Sequence, residues 1–369
     1  MYGNTTYLIF DKSPFYAEMG GQVGDSGMVT IDDQTLLITN VVKDSRGRFL
    51  HALEAAPENL NWKREACILS VDLERRQAIQ RHHTATHILH WALRKVLGDH
   101  VRQAGPLVQP TRLRFDFSHF EAVKPDAIAE IERLSNEKIL INDRLRSYQV
   151  PFSDKPEDVI AFFGDKYGDI VRVVDLGGWS LELCAGTHVY SAGEIGSIRI
   201  IAESAISAGT RRMEAVAGLS AYQWTTRKVS QVQSLCHRFA CKPQDLDNRI
   251  TKMQIQAKEV EKRLRSLEQQ GQSELADQLI EQAQLKDDLR LIKAVVPNLS
   301  PNDLRCLAIH LSKRAAPSVV LLASEANEKF CMVCICTREA VNAGHEAGKY
   351  LGKLAEKLGG KGLSLIHIS

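Results

Sequence analysis

Two pairs of potential metal ligands, about a hundred residues apart, constrain the fold of this chain more than any other feature. His83 and His87, in HHTATH, stand one turn apart where Ile79, His83, Thr86, His87, His90 and Leu93 recur at helical spacing between Arg75 and a stop signal at Gly98. Cys184 and His188, in LELCAGTHV, follow a strand-like segment and enclose Gly186, which supplies a tight turn. With 12 histidines in the chain, an HxxxH pair is expected about 0.4 times by chance, so one pair alone reads as structural histidines. Two pairs read differently. If helix and loop converge, three imidazoles and one thiolate form a tetrahedral donor set suited to zinc. The helix pair is not a zinc-peptidase motif, because Thr84 stands where the general-base Glu would follow the first His. His90 reads as a helix-face residue able to orient a ligand, and His82 points to another face.

The 369 residues fit two to three domains of roughly 100 to 200 residues, and 44% apolar with 25% charged residues is ordinary globular usage. Lys plus Arg exceed Asp plus Glu by only two, 47 against 45, so no overall basic field advertises nucleic acid. The N-terminus lacks the pattern of a secretory signal, and an apolar run such as Val319 to Ala323 is far short of the roughly 18–20 residues of a membrane helix. Eight scattered cysteines without disulfide-scaffold spacing point to a reducing, cytoplasmic protein.

The pattern along the chain predicts an α+β fold in four parts. Residues 1–74 form a β-rich unit with apolar runs at 6–10, 36–42 and 66–71; residues 75–222 form a core with the long helix, a strand over 113–117 and a helix over 125–142. Leu246, Ile250, Met253, Ala257, Val260, Leu264 and Leu267 make a heptad seam that Gly271 interrupts. Leu275, Leu279, Leu285, Leu289 and Ile292 then lead to Pro297, so residues 223–297 read as an antiparallel helical hairpin turning at 270–273. Residues 298–369 form a small α/β unit with a helix over 302–313, strands over 319–323 and 330–337, and a helix over 340–358. Cys331, Cys334 and Cys336 lie on one of these strands. Positions three apart on a strand face opposite ways, so CxxC there is structural.

FYAEMGGQVGDSG from Phe15, HHTATH from His82, HVRQAGPLV from His100, LELCAGTHV from Leu181 and GTRRMEAVAG from Gly209 occur in an order that resembles alanyl-tRNA synthetase. Tyr7 to about Leu219 is similar to the editing domain of that family, Gln233 to Val296 to its helical hairpin, and Asn298 to Gly362 to the start of its C-terminal domain. The resemblance implies hydrolysis of the ester in tRNA(Ala) mischarged with serine or glycine. It implies one Zn2+ on His83, His87, Cys184 and His188, with Gln103 as a pocket residue and Gly20 and Gly21 as the glycine motif near the site.

An amide at Gln103 can bond a substrate amino or hydroxyl group, and paired glycines permit close backbone approach. Discrimination against alanine requires polar groups that bind the serine hydroxyl, for which Gln103, Thr84 and Thr86 are candidates. Asp116, His119 and Glu182 are candidate general bases. Arg211 and Arg212, with the basic residues of the hairpin, are candidate contacts to the tRNA acceptor end, and the hairpin or C-terminal unit is a candidate for self-association.

The class II aminoacylation core of the family is not expected in this chain, so tRNA charging and its ATP belong to the full-length synthetase. The glycine cluster 359–362 lacks a phosphate-loop register, and the closing LSLIHIS departs from the family and reads as an unrelated tail on a truncated product. A free-standing trans-editing factor, the related editing domain of threonyl-tRNA synthetase, and a non-catalytic tRNA-binding or oligomerisation module with structural zinc are the alternatives.

Overall fold

The computed structural model describes residues 5–31, 34–55, 66–161, 167–326 and 329–358. The chain divides into two units, one ending at Arg238 and the other beginning at Phe239. The fold is α+β, with seven α-helices among the described residues.

In the first unit, β1 (Tyr7–Leu8), β2 (Gly27–Ile31), β3 (Gln34–Lys43), β4 (Phe49–Leu53) and β5 (Ile68–Val71) form a sheet of order β1-β4-β3-β2-β5. All its pairings are antiparallel, and Phe15, Val29, Ile38, Val41 and Leu53 are buried together in its core. Helix α1 (Leu73–Leu97) begins where the Asp72 carboxylate accepts from the Arg75 N–H at 3.0 Å, and it ends at Gly98, whose φ of 112° suits glycine. The sequence expectation for this helix is met to within about one turn.

Strands β6 (Gln103–Val108) and β7 (Leu113–Ser118) precede helix α2 (Pro125–Ile141), with Pro125 at its first position. Next come β8 (Leu145–Pro151), β9 (Ile170–Leu176), β10 (Ser180–Leu183), β11 (Ile198–Ser207), β12 (Thr210–Ala217) and helix α3 (Leu219–Arg238). They make a second sheet of order β11-β12-β7-β6 and a third of order β10-β9-β8. Phe115 and Phe117 of β7 are wholly buried in one cluster with Ile88, Leu89 and Leu93 of α1 and Ile131 and Ile139 of α2. Each such side chain contributes about 1.5–3 kcal/mol of burial free energy. The helix bearing the two histidines is thereby held at fixed depth and rotation against the β-sheet core.

In the second unit the expected antiparallel hairpin is replaced by one continuous helix, α4 (Leu246–Glu281). It runs straight through 270–273, because a glycine inside a helix costs only about 1 kcal/mol relative to alanine and the long flanking stretches of good helix formers outweigh that. The expected second arm is instead the end of α4 followed by β13 (Gln284–Lys286) and β14 (Leu289–Val295). Asp287 and Asp288 both take positive φ, 50° and 59°, and form the two-residue turn between them. Leu285, Leu289 and Ile292 belong to these strands, where short apolar runs fit helix and strand equally on paper.

Helix α5 (Pro301–Arg314), β15 (Ser318–Ala326) and β16 (Lys329–Cys336) follow, giving a sheet of order β13-β14-β15-β16 in which β14 and β15 are parallel. The single helix expected over 340–358 is two, α6 (Arg338–Asn342) and α7 (Ala347–Leu358), separated at Gly344 with φ 91°. Cys334 is buried with Leu289, Val319 and Ala340, whereas Cys331 packs against the opposite cluster around Ile292 and Leu307. That is the two-sided placement the strand period requires. Along the heptad seam of α4, Met253, Val260, Leu264 and Leu267 are exposed. The glycine cluster 359–362 and LSLIHIS lie outside the described residues. Among the described residues no helix is long and apolar enough to cross a membrane.

Candidate metal centre

One face of α1 presents His83 and His87 with their rings stacked, centroids 5.4 Å apart and planes 5° from parallel. The second pair arrives from the turn after β10. There the Cys184 N–H donates to the Arg172 carbonyl at 3.1 Å, and the Arg172 guanidinium donates from Nη1 to the carbonyls of Cys184 (3.2 Å) and Gly186 (2.6 Å). Arg172, on β9, thus fixes both ends of the turn. Gly186 must be glycine for packing reasons, since a Cβ there would collide with the His83 ring. His188 follows with its ring 4.4 Å from that of His83 and 4.9 Å from that of His87.

Each of His83, His87, Cys184 and His188 offers one ligand atom, and the four atoms lie within 4.8 Å of one another. Cys184 Sγ is 3.3 Å from both His83 Nε2 and His188 Nε2. Edges of about 3.3–3.7 Å follow from Zn–N near 2.0–2.1 Å and Zn–S near 2.3 Å in a tetrahedron. His87 Nε2 is buried without a hydrogen-bond partner, a costly state that a metal ion would relieve. Burial opposes ionisation of the Cys184 thiol, but the imidazoles of His83 and His188 outweigh it and hold its pKa well below the usual thiol value. A thiolate is the form a metal needs. The donor set of three nitrogens and one sulfur, its spacing and the orphaned Nε2 fit zinc.

Every imidazole of the set is also held from behind. His83 Nδ1 is 2.6 Å from Gln22 Oε1, His87 Nδ1 is 2.5 Å from Glu182 Oε2, and His188 Nδ1 is 3.1 Å from Thr84 Oγ1. The amide and carboxylate oxygens carry no hydrogen, so they accept the Nδ1–H of His83 and His87 and leave Nε2 for the metal, while the Thr84 hydroxyl holds the His188 ring by its Nδ1. The other Glu182 oxygen accepts from His90 Nδ1 at 2.9 Å, so His90 steadies the carboxylate that steadies His87. Burial would raise the Glu182 pKa, but His87 and His90 overcome it and hold it at about 2. His82, on another face as expected, bonds the Ala78 carbonyl and accepts the Ala217 N–H; burial lowers its pKa to about 4.

The ligands His83, His87 and Cys184 form part of the wall of a cavity of about 650 Å³, with Tyr16, Gly20, Gly21, Thr86, Gln103 and Arg172 also lining it. Gln103, Thr86 and the two glycines are therefore brought to the metal ligands. Thr84 is wholly buried, does not line the cavity, and spends its hydroxyl on His188 and the Val189 N–H. Thr86 donates its hydroxyl hydrogen to the His82 carbonyl, which leaves oxygen lone pairs for an incoming donor.

Arg211 and Arg212 stand on β12, paired with Glu203 and Asp116 respectively, and neither lines the cavity. Of the candidate bases, Asp116 is held by Arg212, half-buried His119 pairs with His100 at 2.9 Å, and Glu182 lies behind His87; none lines the cavity. Gln22, Arg172 and Tyr16 are site residues that sequence reasoning missed. Gln22 follows the paired glycines directly, which is the one sequence signal that pointed to it.

Comparison with known proteins places this arrangement. Residues 171–214 match the model of the threonyl and alanyl tRNA synthetase second additional domain, the segment that contributes Arg172, Cys184 and His188. Residues 1–75 match the model of class II (A) tRNA synthetases. The alanine–tRNA ligase of Opitutus terrae is 47% identical over 360 residues, 96% of this chain and 38% of that protein. This chain belongs to the alanyl-tRNA synthetase family. The alanine–tRNA ligases of Bacillus cereus (38% identical over 98% of this chain) and Thermotoga maritima (37% over 97%) agree, each matched over 41% of its own length. The chain thus spans about two-fifths of the length of the curated relatives it matches.

Proposed function

We propose that this chain is a zinc-dependent aminoacyl-tRNA deacylase that hydrolyses the ester of tRNA(Ala) mischarged with serine or glycine. The observation that carries the reading is the cluster of three imidazoles and one thiol at the wall of a cavity that also holds Gln103 and Thr86. A cavity of about 650 Å³ falls in the range of small-molecule sites and has room for an aminoacyl group with part of a terminal ribose. When bound, zinc supplies Lewis-acid polarisation at that wall.

The chain's own groups do the positioning. Gly20 and Gly21 let backbone come close to the ligand, and the Gln103 amide binds the amino or hydroxyl group of the substrate. Thr86 Oγ1 accepts the serine hydroxyl hydrogen. A site built to bond a hydroxyl favours serine strongly over alanine; glycine has no hydroxyl, and its selection does not come from this contact. The partner is the acceptor end of tRNA(Ala), the setting is cytoplasmic translation, and the exposed seam of α4 is the surface for self-association.

The test is release of amino acid from seryl-, glycyl- and alanyl-tRNA(Ala) by the zinc-loaded and the chelator-stripped full chain. Expected is zinc-dependent release of serine and glycine with alanyl-tRNA largely spared. Four protein ligands are also the signature of a structural zinc site, so the second reading is a non-catalytic tRNA-binding module. Loss of all three esters at the uncatalysed rate, with zinc bound, would establish that module instead.

A further inference from the structure

The glycine loop does more than line the cavity, because the residue after it reaches the metal ligands. We propose that Gln22 is a positioning residue for the metal: it fixes the tautomer of His83, clamps the Cys184–His188 turn, and couples the cavity loop around Gly20 and Gly21 to the loaded state of the centre. The inference rests on the four-ligand reading above. Gln22 is wholly buried.

Its orientation follows from its neighbours. The Thr187 backbone N–H can only donate, so the Gln22 atom 2.9 Å from it is the amide oxygen, and Nε2 then donates to Thr187 Oγ1 at 2.9 Å. That same oxygen lies 2.6 Å from His83 Nδ1 and carries no hydrogen of its own. Nδ1 must therefore hold the proton, and Nε2, 3.3 Å from Cys184 Sγ, keeps its lone pair for the metal.

The glycines make this reach possible. Gly20 and Gly21 have φ of 58° and 79°, and a Cβ on Gly21 would collide with the backbone of Pro106 on β6. Two backbone bonds, Val108 N–H to the Gly21 carbonyl at 2.8 Å and Val23 N–H to the Val108 carbonyl at 3.1 Å, pin the loop to that strand. One buried amide consequently joins the cavity loop, the long helix and the ligand turn. A metal on His83 and Cys184 would join the helix to the ligand turn beside that amide and so brace the loop's anchorage further.

The full chain is compared with Gln22→Leu, which removes all three bonds at similar size, and Gln22→Glu, which keeps the acceptor. Zinc affinity is measured by chelator competition, the tautomer from ¹⁵N shifts of His83, and loop order from amide exchange over residues 16–24. Outer partners of metal-bound histidines are worth about 10–100-fold in affinity. Q22L is expected to lose that much, to lose the Nδ1–H signature of His83 and to lose zinc-dependent protection of the loop. Q22E is expected to keep all three near wild type.

Wild-type affinity and an unchanged His83 in Q22L would overturn the proposal, as would a Q22E loss equal to that of Q22L. If Q22L does not fold, Q22E decides alone: near-wild-type affinity with the Nδ1–H signature of His83 kept supports the proposal, and a loss of about 10-fold or more overturns it. A wild-type chain that binds no zinc overturns both this proposal and the metal reading, whereas zinc binding without deacylation removes only the proposed activity.

Discussion

Replacing Cys184 with alanine is expected to lower zinc affinity by more than about 100-fold, beyond the range for outer partners, and to remove serine release from seryl-tRNA(Ala). Cys184 is the one thiolate of the set, and it sits 3.3 Å from two of the three imidazole Nε2 atoms. Without it the remaining ligands are neutral imidazoles in a buried site, and a divalent cation there has no compensating negative charge among its direct ligands. The fold should survive, because the core around Phe115, Ile88 and Ile131 does not include the ligand turn. Metal analysis after dialysis against a weak chelator checks the affinity, and circular dichroism checks the fold. Full zinc occupancy in the variant would contradict the assignment of Cys184 as a ligand.

The second large effect is expected at Glu182. Its two carboxylate oxygens accept from His87 and His90, and all three side chains are buried. In Glu182→Gln one amide oxygen remains as acceptor, but the amide nitrogen then faces an imidazole N–H, donor against donor. Zinc affinity should fall about 10–100-fold, with the metal-free protein also destabilised. The sign of the pH dependence follows from the carboxyl being held at about 2 against an ordinary 4.5. Its stabilisation of the metal-free wild type, on the order of 3 kcal/mol, is fully present above pH 4.5 and is lost as pH falls toward 2. Thermal unfolding of metal-free wild type and E182Q from pH 7 to 3 should show the wild type losing its advantage across the acid end of that range. Parallel curves would place the carboxylate elsewhere in the stability of the protein.

How much of this was legible in the sequence depended on whether the signal was local. The long helix is readable because His83, His87, Ile79 and Leu93 share a period and Gly98 marks its end, whereas the Asp72 cap shows only in the structure. The ligand pairs were readable because each is internally spaced for one face or one turn. Gln22, Glu182 and Arg172 act through contacts 61, 95 and 12–14 residues away, and no periodicity reports such distances. Glu182 was legible as a chemically interesting carboxylate but not as one turned away from the cavity.

The second unit failed on a different ground. Gly271 reads as a helix stop in the sequence, although its cost is small within 36 residues of helix. The Asp287–Asp288 turn went unread because both residues had to adopt positive φ to reverse the chain. Gly344 is the opposite case, a glycine inside a helical pattern that does divide two helices.

Zinc K-edge absorption of the zinc-loaded full chain reads the ligand set itself. Expected is one zinc per chain with three nitrogen neighbours at about 2.0–2.1 Å and one sulfur at about 2.3 Å. A first shell without sulfur, or with two or more sulfurs, would contradict it, because His83, His87, Cys184 and His188 would then not be the set that holds the ion.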